Sequence, residues 1–316
     1  MSIHTKIPYC DSTVNPVVGC RGCELHSAAS PEKSTCYAAA LTGRWVGKPG
    51  WPTSFDSPKH FPDRITRAVR WADMTGAERP DKPWLNGYPR IIFVNDLSDG
   101  FNSIDPEIWL TPHLQAMADS PHIWLLSTKR PDVMAGYFGK HEVPSNFWLM
   151  ATVTIQATVW RVARLLRIPN CTRLLSLEPL VGPVDLQYPK LIYDLDWIVI
   201  GGESGPRARP CDLAWIRSIL RQCREAGVPA FVKQLGARPY DTDFSGAMRR
   251  DKTVSIAATS EPWLQGFTTV HTPEGKEQKI RYMRLSDPKG ANPEEWPADL
   301  RVREMPQPAA GTEELS

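Results

Sequence analysis

The sequence has little net charge and lacks any long apolar run. Its 37 basic and 35 acidic side chains nearly cancel, leaving +2, so no overall field indicates nucleic acid as a partner, although a local basic groove is compatible with this sum. No apolar segment approaches the length that crosses a bilayer, and the first ten residues lack the apolar core of a secretion signal. We therefore expect no membrane partner.

Cysteine is also scarce, with seven residues among 316. The odd count and the lack of a signal core predict a reducing cytoplasm, where clustered cysteines indicate metal or redox chemistry more often than disulfides. Three of the seven lie in one short stretch, as Cys20, Cys23 and Cys36. No other two cysteines in the chain are as close in sequence as Cys20 and Cys23.

The three clustered thiols allow three interpretations. As thiolates they can hold an iron–sulfur cluster, and three ligands rather than four leave one position open for a reacting ligand. Structural zinc is the second, if His26 or Cys10 supplies a fourth ligand. Unreactive buried cysteines are the third. The spacing leaves all three open, but the position after a predicted first strand favours the cluster.

From residue 90 onward, short apolar runs alternate with helical segments. Helical periodicity is clearest over 158–168 and 213–227, where Gly227 predicts a C-cap. Together with a strand near 9–14, this pattern predicts about seven parallel strands in an α/β fold, a partial or complete TIM-like (β/α) barrel. The apolar runs are 90–96, 122–130, 147–153, 171–179, 196–203 and 230–234.

The alternation of apolar runs and helical segments ends after residue 236. We predict that residues 1–236 form the barrel with its cysteine loop and that residues 237–305 form a C-terminal appendage over one mouth. Within the appendage, 252–259 and 279–287 have the pattern of exposed strands or a hairpin. The tail, 306–316, is predicted to be disordered.

Each of the six apolar runs ends in polar residues or glycine. Because barrel enzymes build their sites at the carboxyl ends of strands, we expect these side chains to converge on one face. Polar strand ends also occur where a chain merely leaves the core, so no single residue decides the point. The residues are Asn95, Asp96, Ser98, Asp99, Thr128, Lys129, Arg130, Thr152, Thr154, Gln156, Glu178, Gly201, Gly202, Glu203, Ser204, Lys233 and Gln234.

The glycine pair Gly201 and Gly202 ends one apolar run. Two glycines let a ligand approach the backbone, whose amides hold a carboxylate or phosphate; the G-x-G-x-x-G spacing of a dinucleotide site is absent. A tight turn is the alternative, with Glu203 in a structural ion pair with Arg207 or Arg209.

Charged residues at other strand ends carry two further predictions. Lys129 and Arg130 suit a carboxylate or phosphate, or form a solvated charge pair. Glu178 lies inside an apolar run and needs a partner there, for which Lys233 is the candidate.

The motifs in their order resemble a known family. Over roughly residues 5–305 the chain resembles a largely phage-borne family long described as of unknown function and considered radical-SAM-like. The spacing here, C-x2-C-x12-C, differs from the usual C-x3-C-x2-C of radical SAM proteins. The motifs that carry the resemblance are NPVVGC, CYA, FVNDLSD, STKRP, SLEPLVGPVDL, IVIGGESGPRARP and FVKQLG.

The resemblance implies a partial TIM barrel of the radical SAM type. It implies a [4Fe–4S] cluster on Cys20, Cys23 and Cys36, S-adenosylmethionine at the open iron, an external one-electron reductant and a 5′-deoxyadenosyl radical. Within that scheme Asn95, Asp96 and Ser98 are expected to hold the methionine amino end, and Lys129 or Arg130 its carboxylate. The other predicted cofactor-binding residues are Thr152, Thr154, Gly201 and Gly202, and the catalytic candidates are Glu178, Glu203 and Lys233.

Some radical SAM proteins that the chain resembles are similar to isomerases that reshape amino acids attached to thymine in phage DNA. That similarity implies a modified thymine in duplex DNA as the substrate, flipped out of the stack, in the host cytoplasm. The expected phosphate contacts are Arg161, Arg164, Arg167, Arg249 and Arg250.

Two other functions fit the residues. One is a zinc-stabilised barrel catalysing hydrolysis or group transfer, with Asp96, Glu178 and Glu203 as acid–base residues. The other is a non-catalytic nucleic-acid-binding accessory protein with the cysteine loop as a zinc knuckle.

Overall fold

The centre of the molecule is a curled sheet of seven parallel strands that forms a half-barrel. The computed structural model describes residues 1–49, 51–242, 264–271 and 277–306. Within these residues the strands are β1 (Ser12–Val14), β2 (Val17–Val18), β3 (Lys59–His60), β4 (Ile91–Val94), β5 (Ile123–Thr128), β6 (Phe147–Thr152), β7 (Thr172–Leu177), β8 (Trp197–Gly201), β9 (Cys211–Asp212), β10 (Ala230–Gln234), β11 (Pro239–Asp241), β12 (Leu264–His271) and β13 (Glu277–Met283).

The main sheet has the order β1-β4-β5-β6-β7-β8-β10, so each of its strands lies beside the strand of this sheet that comes next along the chain. The prediction of about seven parallel strands is confirmed, and the barrel is the partial form. Helical segments lie between most of the strands. They are α1 (Tyr37–Thr42), α2 (Asp63–Ala68), α3 (Gly100–Ser103), α4 (Pro106–Trp109), α5 (Leu114–Ala118), α6 (Pro131–Phe138), α7 (Trp160–Leu165) and α8 (Leu213–Ala226).

Both helices predicted from periodicity are present. The segment predicted over 158–168 contains α7, and α8 ends where expected because Gly227 adopts a left-handed φ of +70° as its C-cap. The sequence over 60–75 also predicts a helix after the cysteine loop, and α2 is shorter than that stretch, since it ends at Ala68.

The strands are buried on both faces, and alternate residues enter two separate cores. In β4, Ile92 and Val94 face the helices, whereas Ile91 and Phe93 face the inside of the half-barrel. The inner core is aromatic: the ring of Tyr9 packs edge-on at 5.8–6.2 Å from Phe93, Trp197 and Phe231. These rings fill part of the inside of the half-barrel.

The C-terminal segment covers one edge of the sheet. Arg303 pairs antiparallel with Phe231 of the edge strand β10, and Trp296 and Leu300 are fully buried. The domain boundary at residue 236 stays a prediction. Of the predicted appendage strands, 279–287 overlaps β13, whereas 252–259 lies outside the described residues, as does 307–316 of the predicted tail.

A second sheet, in the order β12-β13-β11-β9, contains strands from both sides of residue 236. Among the helices of the described residues, none combines the length and apolar character needed to span a bilayer.

Candidate active site

A cavity of about 360 Å³ opens at the carboxyl ends of the strands. Six of the seven main strands, β4 to β8 and β10, contribute polar residues from their last positions or from the residues that follow them. Its volume is within the range of small-molecule sites. The predicted convergence of polar strand ends is therefore observed.

Twelve of the fifteen predicted site residues line this cavity. They include all three clustered cysteines and all three catalytic candidates. The twelve are Cys20, Cys23, Cys36, Asn95, Asp96, Ser98, Lys129, Thr152, Glu178, Gly202, Glu203 and Lys233.

The other three predicted residues lie just behind the lining. The backbone N–H of Arg130 donates to Thr128 Oγ1 (2.8 Å) at the start of α6. Thr154 Oγ1 donates to Glu24 Oε1 (3.1 Å). At Gly201 a Cβ atom would lie 2.9 Å from Glu178 Oε1, so this glycine makes room for that carboxylate.

The cysteine loop, residues 19–36, forms one wall of the cavity. Cys20 is buried, and burial raises the pKa of the Cys23 and Cys36 thiols while the charge of Lys129 opposes the rise. The other four cysteines do not line the cavity. The loop therefore brings three thiols, and only these three, to one face of the strand-end site.

The side chain of Asn102, on α3, holds the cysteine loop. Its Nδ2 lies 2.6 Å from the Gly22 carbonyl oxygen and 3.6 Å from Cys20 Sγ. The helix is fixed in turn by Asp99, its N-cap, whose Oδ2 accepts a hydrogen bond from the Lys129 backbone (2.7 Å). Sequence analysis singled out Asp99 as polar but missed Asn102, for which the sequence offers no signal.

An ion pair ties the loop to the outer helices. Glu24 Oε1 and Oε2 each accept a hydrogen bond of 2.8 Å from the guanidinium of Arg161 on α7. Burial would raise the pKa of Glu24, but Arg161 outweighs it and lowers that pKa from 4.5 to about 2. Arg161 is buried and neutralised, so it does not join the predicted phosphate contacts.

His26 is not free to bind a metal as a fourth ligand. Its Nδ1 lies 2.9 Å from Ser34 Oγ and its Nε2 lies 2.8 Å from Asp56 Oδ1, so both ring nitrogens have partners within the protein. Cys10, the other proposed fourth ligand, is buried in the inner aromatic core and does not line the cavity. The two routes to a closed four-ligand zinc site therefore lack support.

Glu203 forms a structural ion pair, which was one of the two roles that the sequence allowed. Arg209, not Arg207, binds both carboxylate oxygens at 2.8 Å. Burial would raise the pKa of Glu203, but the hydrogen bonds from Arg209 outweigh it and lower that pKa below its usual value. The carboxylate is thus ionised and occupied, which favours a role in fixing the loop after β8 over a role as a catalytic base.

The predicted pair of Glu178 and Lys233 is confirmed. Lys233 Nζ lies 2.9 Å from Glu178 Oε1, and Tyr9 donates its hydroxyl proton to Oε2 (3.2 Å). Lys233 Nζ also lies 5.6 Å from the centre of the Tyr9 ring. The three side chains join β7, β10 and the segment before β1 at the floor of the cavity, and sequence analysis did not identify Tyr9.

Lys129 and Asp96 are available to a ligand in the cavity. The ammonium group of Lys129 has no hydrogen-bond or ion-pair partner among the described residues, and Asp96 Oδ2 accepts no hydrogen bond from another of them. By contrast, Asn95 Oδ1 accepts the Val17 N–H (3.3 Å) and Ser98 donates to the Val17 carbonyl (2.9 Å). Of the charged residues predicted to hold methionine, Asp96 and Lys129 are the two that line the cavity.

Among the described residues, no three His, Cys, Asp or Glu side chains are arranged to hold one metal ion together. The three thiols share a wall of the cavity without forming such a group.

A family model matches residues 4–282, which is most of the chain. It describes a protein of unknown function (DUF5131). The chain belongs to the DUF5131 family. This agrees with the resemblance to a family long described as of unknown function. Neither a curated protein nor a solved structure matches the chain.

In this DUF5131 protein, the Glu24–Arg161 pair should contribute measurably to stability. We expect Glu24→Gln to lower the free energy of unfolding by about 2 kcal/mol at neutral pH, because the buried guanidinium of Arg161 loses its counterion. The expected loss is moderate because the Glu24 carboxylate is partly exposed. Since the folded pKa of Glu24 is depressed, this contribution is complete above pH 4.5 and is lost as the pH falls toward about 2.

Urea unfolding of both proteins at several pH values measures the effect. Asp63→Asn is the matched control, because Asp63 pairs with Arg67 on the surface of α2 and should change stability by less than about 0.5 kcal/mol. An equal loss in the two variants, or a Glu24→Gln loss independent of pH, would contradict the prediction.

The ion pair at the cavity floor should show strong coupling. In a double-mutant cycle of Glu178→Gln and Lys233→Met, we expect a coupling free energy of about 1–3 kcal/mol, because the two groups are in contact and only 12% and 23% exposed. Denaturant unfolding of the four proteins gives this value. If the effects of the two single substitutions on the free energy of unfolding simply add, the interaction between Glu178 and Lys233 contributes nothing to the stability of the fold.

Proposed function

We propose that this DUF5131 protein is a radical S-adenosylmethionine enzyme with a [4Fe–4S] cluster on Cys20, Cys23 and Cys36. One observation carries the proposal: a single loop brings three thiols to a strand-end cavity that also contains the Lys129 ammonium and Asp96 Oδ2, which have no partner among the described residues. Thiolates are the ligands of iron–sulfur clusters, and a zwitterionic amino acid fits a free cation and a free carboxylate oxygen.

The donor set fits a cluster with one open position better than a single zinc ion. In the loop, His26 and Glu24 already have partners within the protein, and so does Glu203 across the cavity. A tetrahedral zinc ion with bonds of about 2.3 Å would bring its sulfur ligands within about 4 Å of each other. The described thiols form no such group.

When bound, such a cluster supplies one electron from an external reductant, the chemistry that splits S-adenosylmethionine into methionine and a 5′-deoxyadenosyl radical. Lys129 would bind the methionine carboxylate and Asp96 its amino group. The aromatic rings beneath the cavity exclude water from its floor, which protects a reactive species. Glu178 and Lys233 hold each other and Tyr9 at that floor, where they position a substrate.

The proposed substrate is DNA with an amino-acid-modified thymine, and the proposed reaction is its isomerisation. This part rests on the motif resemblance. Lys6 and Lys289 line the cavity and are exposed, and Arg164 and Arg167 on and after α7 remain as candidate phosphate contacts; Arg249 and Arg250 lie outside the described residues. Incubation with modified phage DNA, followed by nucleoside digestion, should show a new retention time at unchanged mass.

Anaerobic reconstitution with iron and sulfide, followed by an absorption spectrum and metal analysis, tests the proposed cofactor. Broad visible absorbance with about four iron atoms per chain is the expected result. One equivalent of zinc in aerobically purified protein, with no such absorbance after reconstitution, would support the zinc alternatives. The hydrolase alternative has less support, because Glu178 and Glu203 are both held in ion pairs.

A further inference from the structure

The segment after the cysteine loop is basic and aromatic. Residues 33–55 contain three lysine or arginine residues and no aspartate or glutamate, in a chain whose charges otherwise nearly balance. This segment forms an exposed surface that we call the aromatic rim. Its residues are Tyr37, Leu41, Arg44, Trp45, Lys48 and Trp51.

Two tryptophan rings are stacked at the centre of the aromatic rim. The centroids of Trp45 and Trp51 lie 5.8 Å apart, with an angle of 17° between the ring planes. Backbone hydrogen bonds hold the turn, from Trp51 N–H to the Lys48 carbonyl and from Gly47 N–H to the Pro52 carbonyl, both 3.0 Å. Trp45 is 42% exposed even so, and Lys48 Nζ lies 4.6 Å from its ring centre.

The aromatic rim adjoins the cavity. Tyr37 lines the cavity and donates its hydroxyl proton to the Asp96 carbonyl, and Arg44 and Trp45 follow the end of the same helix, α1. A six-residue helix is about 9 Å long, so the tryptophan pair lies close to the mouth. A molecule bound on the aromatic rim would extend naturally into the cavity.

We propose that the aromatic rim binds unpaired nucleotides next to the base that enters the cavity. The exposed ring of Trp45 offers a flat face on which a base stacks, and the cations Arg44 and Lys48 favour phosphate. An acidic peptide would satisfy the charges but leave the flat rings without a stacking partner. The inference rests on the proposed nucleic-acid substrate and is independent of the cluster.

Binding of a fluorescein-labelled single-stranded thymidine oligonucleotide, followed by anisotropy with the full-length protein, tests the proposal. We expect Trp45→Ala to weaken binding about tenfold and Trp45→Phe much less, because phenylalanine keeps a ring for stacking. Lys48→Glu should weaken binding and also reduce its dependence on salt between about 50 and about 200 mM.

Trp160→Ala is the matched control. Trp160 is a 46% exposed tryptophan on α7, outside the aromatic rim, and its removal should leave binding unchanged. Dextran sulfate, which has charge but no bases, should compete poorly.

If Trp45→Ala and Trp160→Ala lose equal oligonucleotide affinity while the unaltered protein binds tightly, the proposed role of the aromatic rim is wrong. The proposed DNA substrate would not be affected by that result. Equal competition by dextran sulfate would overturn base stacking. An unaltered protein that binds neither single-stranded nor duplex DNA would overturn both this inference and the proposed substrate.

Discussion

Replacing Cys20, Cys23 or Cys36 by alanine should abolish iron binding after reconstitution, together with the broad visible absorbance. Each of the three thiols lines the same cavity wall, and the nearby His26 and Glu24 side chains are already bound to other groups. A cluster held by three thiolates that loses one is open at two iron atoms and decays in solution. Iron and sulfide analysis of desalted protein measures the loss.

Cys171→Ala, Cys211→Ala and Cys223→Ala serve as controls. Cys171 precedes β7, Cys211 begins β9 and Cys223 lies in α8, and none of them lines the cavity. These variants should retain full iron content, although the two buried ones should unfold somewhat more easily. Loss of iron in one of the controls, or full iron in a variant of Cys20, Cys23 or Cys36, would contradict the proposed ligands.

The second large effect concerns S-adenosylmethionine. We expect Asp96→Ala and Lys129→Met each to weaken its binding to the reconstituted protein by about 1–3 kcal/mol, because each removes a charged partner of the methionine end. That range corresponds to about 5-fold to 150-fold in the dissociation constant, which isothermal titration calorimetry resolves.

The Arg130→Met variant tests which of the two predicted cations, Lys129 or Arg130, binds the methionine carboxylate. Arg130 does not line the cavity, whereas Lys129 does. Binding should therefore be unchanged in Arg130→Met. Equal weakening in the Arg130 and Lys129 variants would show that the carboxylate lies outside the described cavity.

The main sheet could be predicted because buried parallel strands leave continuous apolar runs in the sequence. The same physics predicted the pair of Glu178 and Lys233, since two opposite charges within apolar strands need each other. Periodicity and a glycine C-cap likewise located α8 to within one residue. In each case, one physical rule applied to short segments of sequence was sufficient for the prediction.

The contacts that hold the cysteine loop could not be predicted in this way. Glu24 pairs with Arg161 across 137 residues of sequence, and Tyr9 meets Glu178 across 169. Each depends on how the half-barrel curls, which periodicity does not specify. The choice of Arg209 over Arg207 as the partner of Glu203 depends similarly on the path of the loop after β8.

The formation of 5′-deoxyadenosine tests the central claim most directly. Reconstituted protein, S-adenosylmethionine and dithionite are incubated without oxygen, and the products are separated by chromatography and identified by mass. The account predicts 5′-deoxyadenosine in the unaltered protein and none in the Cys20→Ala, Cys23→Ala and Cys36→Ala variants. No 5′-deoxyadenosine from reduced, cluster-loaded protein, even with modified DNA present, would contradict the proposed function.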